Sequence, residues 1–307
     1  MPLITKRSAV LAKIEGTYGV DSSPATGDGI LVEELSPSQT TEYIERNPVK
    51  GTYGSLPGLI GRNIGTLSFQ CELKGSGTAG TAPEYGVLLR SCGMGETIVV
   101  DTSVTYAPVS TGFESCTIYA YMDGKLRKYT GCRGTYSIDM SVGQRAMITF
   151  TMTGAYTEED DTLVDPTIDS TTPVKLTSAA FSFGSYSAVV SSVSIDAGME
   201  VITPDNINSS SGYGEVSIVN RAMTGSCDPE QTLVATRDWQ TLFLAGTESA
   251  LAILACNGSA GNICNITAPA CVATDLQDGD RDGIMTYDLP FSMNDNTGDD
   301  EISIAFT

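Results

Sequence analysis

The chain contains no histidine. That absence removes the usual general base, the Ser-His and Cys-His nucleophile pairs and the commonest zinc ligand. A single tryptophan leaves little from which to build a concave aromatic surface for carbohydrate. Its eight cysteines include no CxxC pair, and "MPLITKRSAVLAKIEG" lacks a signal-peptide core followed by a cleavage site. The reading is of reduced, buried thiols in a chain kept in the cytoplasm until something assembles it. A Cys264 to Cys271 bridge is disfavoured on the same grounds. The longest apolar runs, such as "ALAILAC" at 250–256, fall far short of the ~20 residues that span a bilayer. Basic residues are scarce in the second half: residues 158–307 carry 4 Lys and Arg against 23 Asp and Glu, whereas residues 1–157 carry 13 against 14. Nearly all of the net charge of −20 therefore lies in one half, and such a surface repels nucleic acid phosphates.

What is present is enough to fold. The 307 residues are 41% hydrophobic and 18% charged, which suits one large domain or two ordinary ones and argues against disorder. Strict apolar and polar alternation marks half-buried strands. Leu67, Phe69, Cys71 and Leu73 show it, as do Ile148, Phe150 and Met152, and again Ile302, Ile304 and Phe306. Two stretches read as helical. Tyr85, Leu88, Leu89 and Cys92 share one face, and so do Trp239, Leu242 and Phe243, with Thr236 as the expected N-cap of the second helix.

Tyr85, Leu88 and Leu89 map onto Trp239, Leu242 and Phe243 with a shift of 154 (239 − 85), and Ile148 maps onto Ile302 with the same shift (302 − 148). "GTYSIDMS" from Gly134 resembles "GIMTYDLPFS" from Gly283, and "GRNIGTLS" resembles "NRAMTGSC", which sets Arg62 opposite Arg221. Together these favour a duplicated β-rich unit. The expected division is an N-terminal arm at 1–28, a first domain at 29–157, a linker at 158–173 and a second domain at 174–307. The join falls where charge, Pro and small polar residues replace periodicity.

Three motifs need weighing. "GSGTAG" at 75–80 has dinucleotide-fingerprint spacing, but Thr81, Ala82 and Pro83 separate it from the helix, so a loop is the better reading and no cofactor is expected. "DLQDGDRDGIMTYDL" at 275–289 opens like a calcium loop, with Asp278, Asp280 and Asp282 alternating before Gly283. Leu289 stands where the bidentate Glu belongs, so an Asp-rich hairpin turn with no metal is favoured. "KLRK", with Lys125, Arg127 and Lys128, forms a basic cluster with Arg133 and occupies the place in the first unit that this alignment assigns to the acidic run of the second. It reads as a solvated turn, or as a basic turn facing an acidic surface of a neighbouring copy.

"LAKIEGTYGVDSSPATGDGILVEELS" and "IERNPVKGTYGSLPGLIGRNIGTLSFQCELKGSGTAGTAPEYGVLLRSCG" together resemble the tail tube (major tail) proteins of long-tailed bacteriophages. The resemblance rests on Thr-Tyr-Gly-x-Asp-x-x-Pro at 17–24, Glu45-Arg46-Asn47, Gly61-Arg62, the Gly-rich stretch into Ala82-Pro83, and Leu88-Leu89-Arg90 before Cys92-Gly93. It covers residues 9–95 well. It implies a mainly β fold of two tandem β-sandwich or β-barrel domains, each with one short flanking α-helix, and no enzymatic activity. It also implies rings stacked through an N-terminal arm and the Thr41 to Arg62 loop, with Arg46, Lys50 and Arg62 as assembly residues. For a duplicated chain it implies trimeric rings of pseudo-sixfold symmetry in the virion tail. The implied partners are other copies, the tape-measure protein, and the tail terminator and distal tail proteins, with phage DNA in unspecific transit and no membrane. The competing readings are a calcium-dependent, carbohydrate-binding pair of β-sandwiches and a hydrolase using Asp and Glu pairs.

Overall fold

A computed structural model describes residues 3–4, 6–162, 164–177 and 179–307. The chain is mainly β, as expected, with antiparallel sheets and two six-residue helices. In order, the first half holds β1 (Ser8–Ile14), β2 (Gly29–Ile30), β3 (Glu33–Ile44), β4 (Leu59–Glu72), α1 (Gly86–Ser91), β5 (Met94–Val99), β6 (Ser103–Pro108), β7 (Cys116–Met122), β8 (Lys125–Ser141) and β9 (Met147–Asp161). The second holds β10 (Phe181–Phe183), β11 (Ser192–Asp196), β12 (Met199–Ile202), β13 (Ser217–Arg221), β14 (Thr224–Cys227), α2 (Trp239–Leu244), β15 (Ser249–Asn257), β16 (Ile263–Ala273), β17 (Gln277–Arg281), β18 (Ile284–Asn294) and β19 (Ser303–Phe306). Thus residues 8–14, within the expected N-terminal arm, form a strand of the first sheet, and β9 runs past residue 157.

Hydrogen-bonded neighbours in the first half run β1, β7, β8, β9, β4, β3. In the second half they run β10, β15, β16, β18, β14, β11. The two orders match strand for strand, all antiparallel. Each run also extends into a two-stranded arm: β3 with the start of β4, and β12 with β13.

This pairing corrects the 154-residue shift for the late strands. Ile148 and Phe150 of β9 face Cys71 and Phe69 of β4, and Leu289 and Phe291 of β18 face Cys227 and Gly225 of β14. The counterpart of Ile148, Phe150 and Met152 is therefore Leu289, Phe291 and Met293, a shift of 141 (289 − 148), and all six are buried. The first half carries a hairpin, β5 with β6, between its helix and β7, whereas α2 runs almost directly into β15. The missing hairpin lowers the offset of the strands that follow it. Ile302, Ile304 and Phe306 belong instead to the region of β19, which pairs with β16 and, across the chain, with β6. By the same register Cys71 matches Cys227, a shift of 156 (227 − 71), so Arg62 aligns with Ile218 rather than Arg221.

A single buried cluster draws residues from both halves. Phe150 is a hub of the first, with ring centroids 6.1–6.3 Å from Phe69, Tyr85 and Tyr136. Phe306 of β19 meets Tyr85 and Tyr106 edge-on, which carries the core across the duplication. Alternation explains the inward faces, since i and i+2 share a side of a strand. Helix α1 buries Leu88 and Leu89 as read, with Tyr85 and Cys92 buried beside it. Helix α2 is capped by Asp238, not Thr236: its carboxylate accepts the Thr241 amide at 2.9 Å. Asp directly precedes the first apolar position, and so it satisfies a first-turn N–H better than a residue two places back.

The Gly-rich stretch at 75–80 is a loop packed backbone to backbone on the second half. The Gly77 amide donates to the Gly261 carbonyl at 3.1 Å, and the Gly75 amide to Asn262 Oδ1 at 2.9 Å. Residues 164–171 lie along the first half. The buried Lys74 ammonium donates to the carbonyls of Asp169 and Thr171, both at 3.0 Å, and the Glu84 carboxylate accepts the Leu31 and Asp169 amides.

Candidate functional site

Residues 65–72 of β4 are covered by β9, but residues 59–64 have only β3 beside them. A two-stranded ribbon therefore projects from the sheet, ending in the loop 45–58. Such a ribbon buries little of itself, and here Tyr43, Ile44, Leu59, Ile60, Val49 and Tyr53 remain exposed, Val49 and Tyr53 completely. A cluster of exposed apolar side chains on one projection marks an interaction surface. Arg46 and Lys50 lie in this loop, exposed and without an ion pair among the described residues. Arg62 is placed differently. Its guanidinium pairs with Glu42 at 2.8 Å and with Asp205, and it lies 5.2 Å from the centre of the Tyr213 ring.

Arg62 thereby holds the second arm. Loop 203–216 lies against the base of the first arm, with the Asn63 amide donating to the Ser211 carbonyl at 3.2 Å. Arg133 anchors the other end of that loop. It donates to the carbonyls of Val216 and Phe113 at 2.7 Å and of Glu114 at 3.1 Å, pairs with Glu215 at 2.7 Å and lies over the Tyr18 ring. From sequence, Arg133 reads as one member of the basic cluster with Lys125, Arg127 and Lys128; the structure parts it from them, burying it under the second arm. The second arm is thus docked within the chain and the first is not.

The charged turns are also placed. Lys125 and Arg127 both pair with Glu159 on β9, and Lys128 lies 3.9 Å from Asp21 and over the Tyr119 ring. The Lys125 ammonium, helped by Tyr156 and Arg127, holds the Glu159 carboxyl below the usual range. The basic cluster is therefore neutralised within the chain. The acidic run forms the hairpin of β17 and β18, closed by Asp282 and Gly283, both at positive φ (54° and 88°), the geometry that favours Asp-Gly. Asp278 accepts from Gln231 at 2.7 Å, and Asp280 from the Gly283 amide at 3.2 Å. This is a β-hairpin and not a loop between helices. No cluster of metal-ligating side chains occurs among the described residues.

The equivalence of these two charged turns does not hold. The basic turn joins β7 to β8, whose counterparts β15 and β16 are joined by residues 258–262. The acidic hairpin is the far end of the β16 to β18 pair, so its counterpart is the β8 to β9 turn. The two charge clusters lie at opposite ends of matching strands.

Several backbone edges are open among the described residues, including one in each half that bears on the seam between the halves. Strand β8 meets β9 along one side; along the other, β7 covers residues 125–132 and β11 covers 137–141. In the second half β15 covers β16 as far as Cys271, and beyond it the edge running through β17 meets no strand. The outer edge of β3 is likewise unpaired along the sheet.

The cysteines offer no thiol in a reactive setting. All eight cysteines are buried and free. Burial pushes the thiols of Cys256 and Cys271 up to about 12, and those of Cys71, Cys92, Cys132, Cys227 and Cys264 upward as well. What the surface presents is an apolar arm and unpaired strand edges, the equipment of self-assembly.

No curated protein matches the sequence. The model of the family described as phage tail tube protein matches residues 5–293. With 289 of 307 residues inside that match (293 − 5 + 1) and a mainly β fold, the chain belongs to the phage tail tube protein family.

Proposed function

We propose that this chain is the structural subunit of a phage tail tube, built as stacked rings of three copies through which the genome passes at ejection. The observation that carries the reading is the duplication. One chain holds two sheet units of identical strand order, so three copies supply six. The proposed domains are 29–157 and 174–307, with β1 of the N-terminal segment adding a strand to the first. The first arm, carrying Arg46 and Lys50, is the part free to reach an adjacent ring, while Arg62 positions its base. A net charge of −20 suits a conduit, since an acidic wall lets DNA slide without adhering. The role is structural and asks for no catalysis. The tape-measure, terminator and distal tail proteins are the proposed partners, met in the host cytoplasm before the virion forms.

Electron microscopy of the purified chain in negative stain tests this. Rings or tubes whose averages show three repeating units with sixfold-like modulation are expected. A protein that stays monomeric at high concentration, alone and with its tail partners, would remove the basis of the proposal.

A further inference from the structure

The seam inside the chain describes a contact the chain has not yet used. Strand β11, the counterpart of β3, adds to the edge of β8 beyond β7, pairing residues 192–196 with 137–141. The strand that plays the part of β8 in the second half is β16 continued by β17, and the matching edge there is open. The strand that plays the part of β11 in the first half is β3, whose outer edge is open too. Each chain is thus left with an open edge that matches the one β11 fills and an open strand that matches β11. A head-to-tail contact of this kind propagates from copy to copy, and gives a ring when its rotation closes.

We infer that β3 of one copy adds, antiparallel, to the open edge around residues 275–279 of the next. This deepens the ring reading and rests on it. Register follows from the pairings. Asp139 faces Met147 in β9, whose counterpart Asp288 (147 + 141) faces Gln277, so Gln277 stands for Asp139. Ser194 faces Ser226, whose counterpart Gln70 (226 − 156) faces Glu33, so Glu33 stands for Ser194. Since Ser194 faces Asp139 within the chain, Glu33 of one copy faces Gln277 of the next. The neighbouring pair, Ile195 with Ile138, becomes Leu35 with Leu276, across the bulge at Glu34, which has φ 52°. Leu35 and Leu276 are both half-buried and packed on the core, leaving part of each to be covered.

The acids near this edge, Glu33, Glu34, Asp275 and Asp278, do not oppose the assignment. The seam inside the chain already carries Asp139 and Asp196 on adjoining strands. Glu33 is also held by Arg145 at 2.7 Å. Asp278 and Asp280 then belong to a strand whose edge another copy covers, and Asp282 to the turn beyond it.

Cysteine pairing tests this in the full chain. Facing residues in an antiparallel pair have Cα atoms about 4.5–5.5 Å apart, within the range a disulfide spans. The native thiols are buried and free, so oxidant acts on introduced ones. The variant Glu33→Cys with Gln277→Cys is expected to link copies under oxidation into two- and three-chain species, with none longer. Glu33→Cys with Asp282→Cys, whose second site lies in the turn, is expected to stay unlinked. If the first variant forms rings in the microscope and its copies remain unlinked, copies meet elsewhere and the assignment fails while the ring stands. Equal linking by the turn variant would overturn the register. If the wild-type chain forms no ring, the ring reading fails and this contact falls with it.

Discussion

Replacing Arg133 with methionine should destabilise the chain by about 3–5 kcal/mol, because this side chain satisfies several groups that nothing else reaches. Its head is 8% exposed and donates to the carbonyls of Phe113, Glu114 and Val216 and to the Glu215 carboxylate. Hydrogen bonds to a charged group contribute roughly 1.5–3 kcal/mol each, and leaving a buried carbonyl unpaired costs about 1–3 kcal/mol. Those figures do not add, since all four acceptors share one donor group and water can reach some of them once it is gone. Glu215 is half-exposed and is taken up by water, so the loss comes mainly from the three carbonyls, and about 3–5 kcal/mol bounds it. Larger domains lose about 2–4 °C of Tm per kcal/mol, and at the low end the drop is roughly 6–10 °C. Thermal unfolding followed by circular dichroism, with Trp239 fluorescence reporting the second half, measures it. Arg133→Lys should recover less than half of the loss, because one ammonium cannot reach three carbonyls on two segments. Limited proteolysis should cut the variant within 203–216 faster than the wild type. A methionine variant within about 1 kcal/mol of wild type, or full rescue by lysine, would refute the reasoning.

Gly261 holds φ +84°, and a Cβ there would lie 2.2 Å from the Thr78 amide nitrogen, so Gly261→Ala should cost at least about 1–3 kcal/mol in a denaturant titration. All eight cysteines should resist a thiol reagent in the native protein and react fully in denaturant; rapid native labelling would contradict their burial. Burial raises the Asp228 carboxyl, but hydrogen bonds from Ser191 and Ser192, with Arg281, outweigh it and bring it below its ordinary value. Its stabilisation is therefore present above the unfolded value of about 3.9 and is lost as pH falls through the lower folded value. Asp228→Asn should accordingly flatten the acid limb of a Tm against pH profile while lowering stability at neutral pH.

Much of the fold was legible because burial leaves its period in the sequence. Leu67, Phe69 and Cys71 alternate because one face of β4 meets the core, and Leu88 and Leu89 flank the turn of a helix seated on it. Strand β3 was not legible as a strand. Its residues, largely Ser, Thr and Glu, are exposed or half-buried along its length, so no hydrophobic alternation marks them. The second helix showed its face but not its cap, because three polar residues precede Trp239 and the choice among them is geometric. The repeat was visible through the helices and misaligned beyond them. A missing hairpin changes the offset, and two short alternating strands look alike wherever they fall.

The sequence by itself determined the β class, the seats of the two helices, the acidic second half, the reduced cysteines and the family, since each depends on composition or on local period. Only the tertiary structure decided which strands correspond, that Lys125, Arg127 and Lys128 are neutralised by Glu159 and Asp21, that Arg62 and Arg133 fasten the second arm, and which edges stay open. Those properties depend on strands far apart in the chain coming to lie side by side. A strand's residues specify which of its faces is buried, but its hydrogen-bonding edges are the same backbone everywhere, and only the neighbour that arrives shows which edge has been taken.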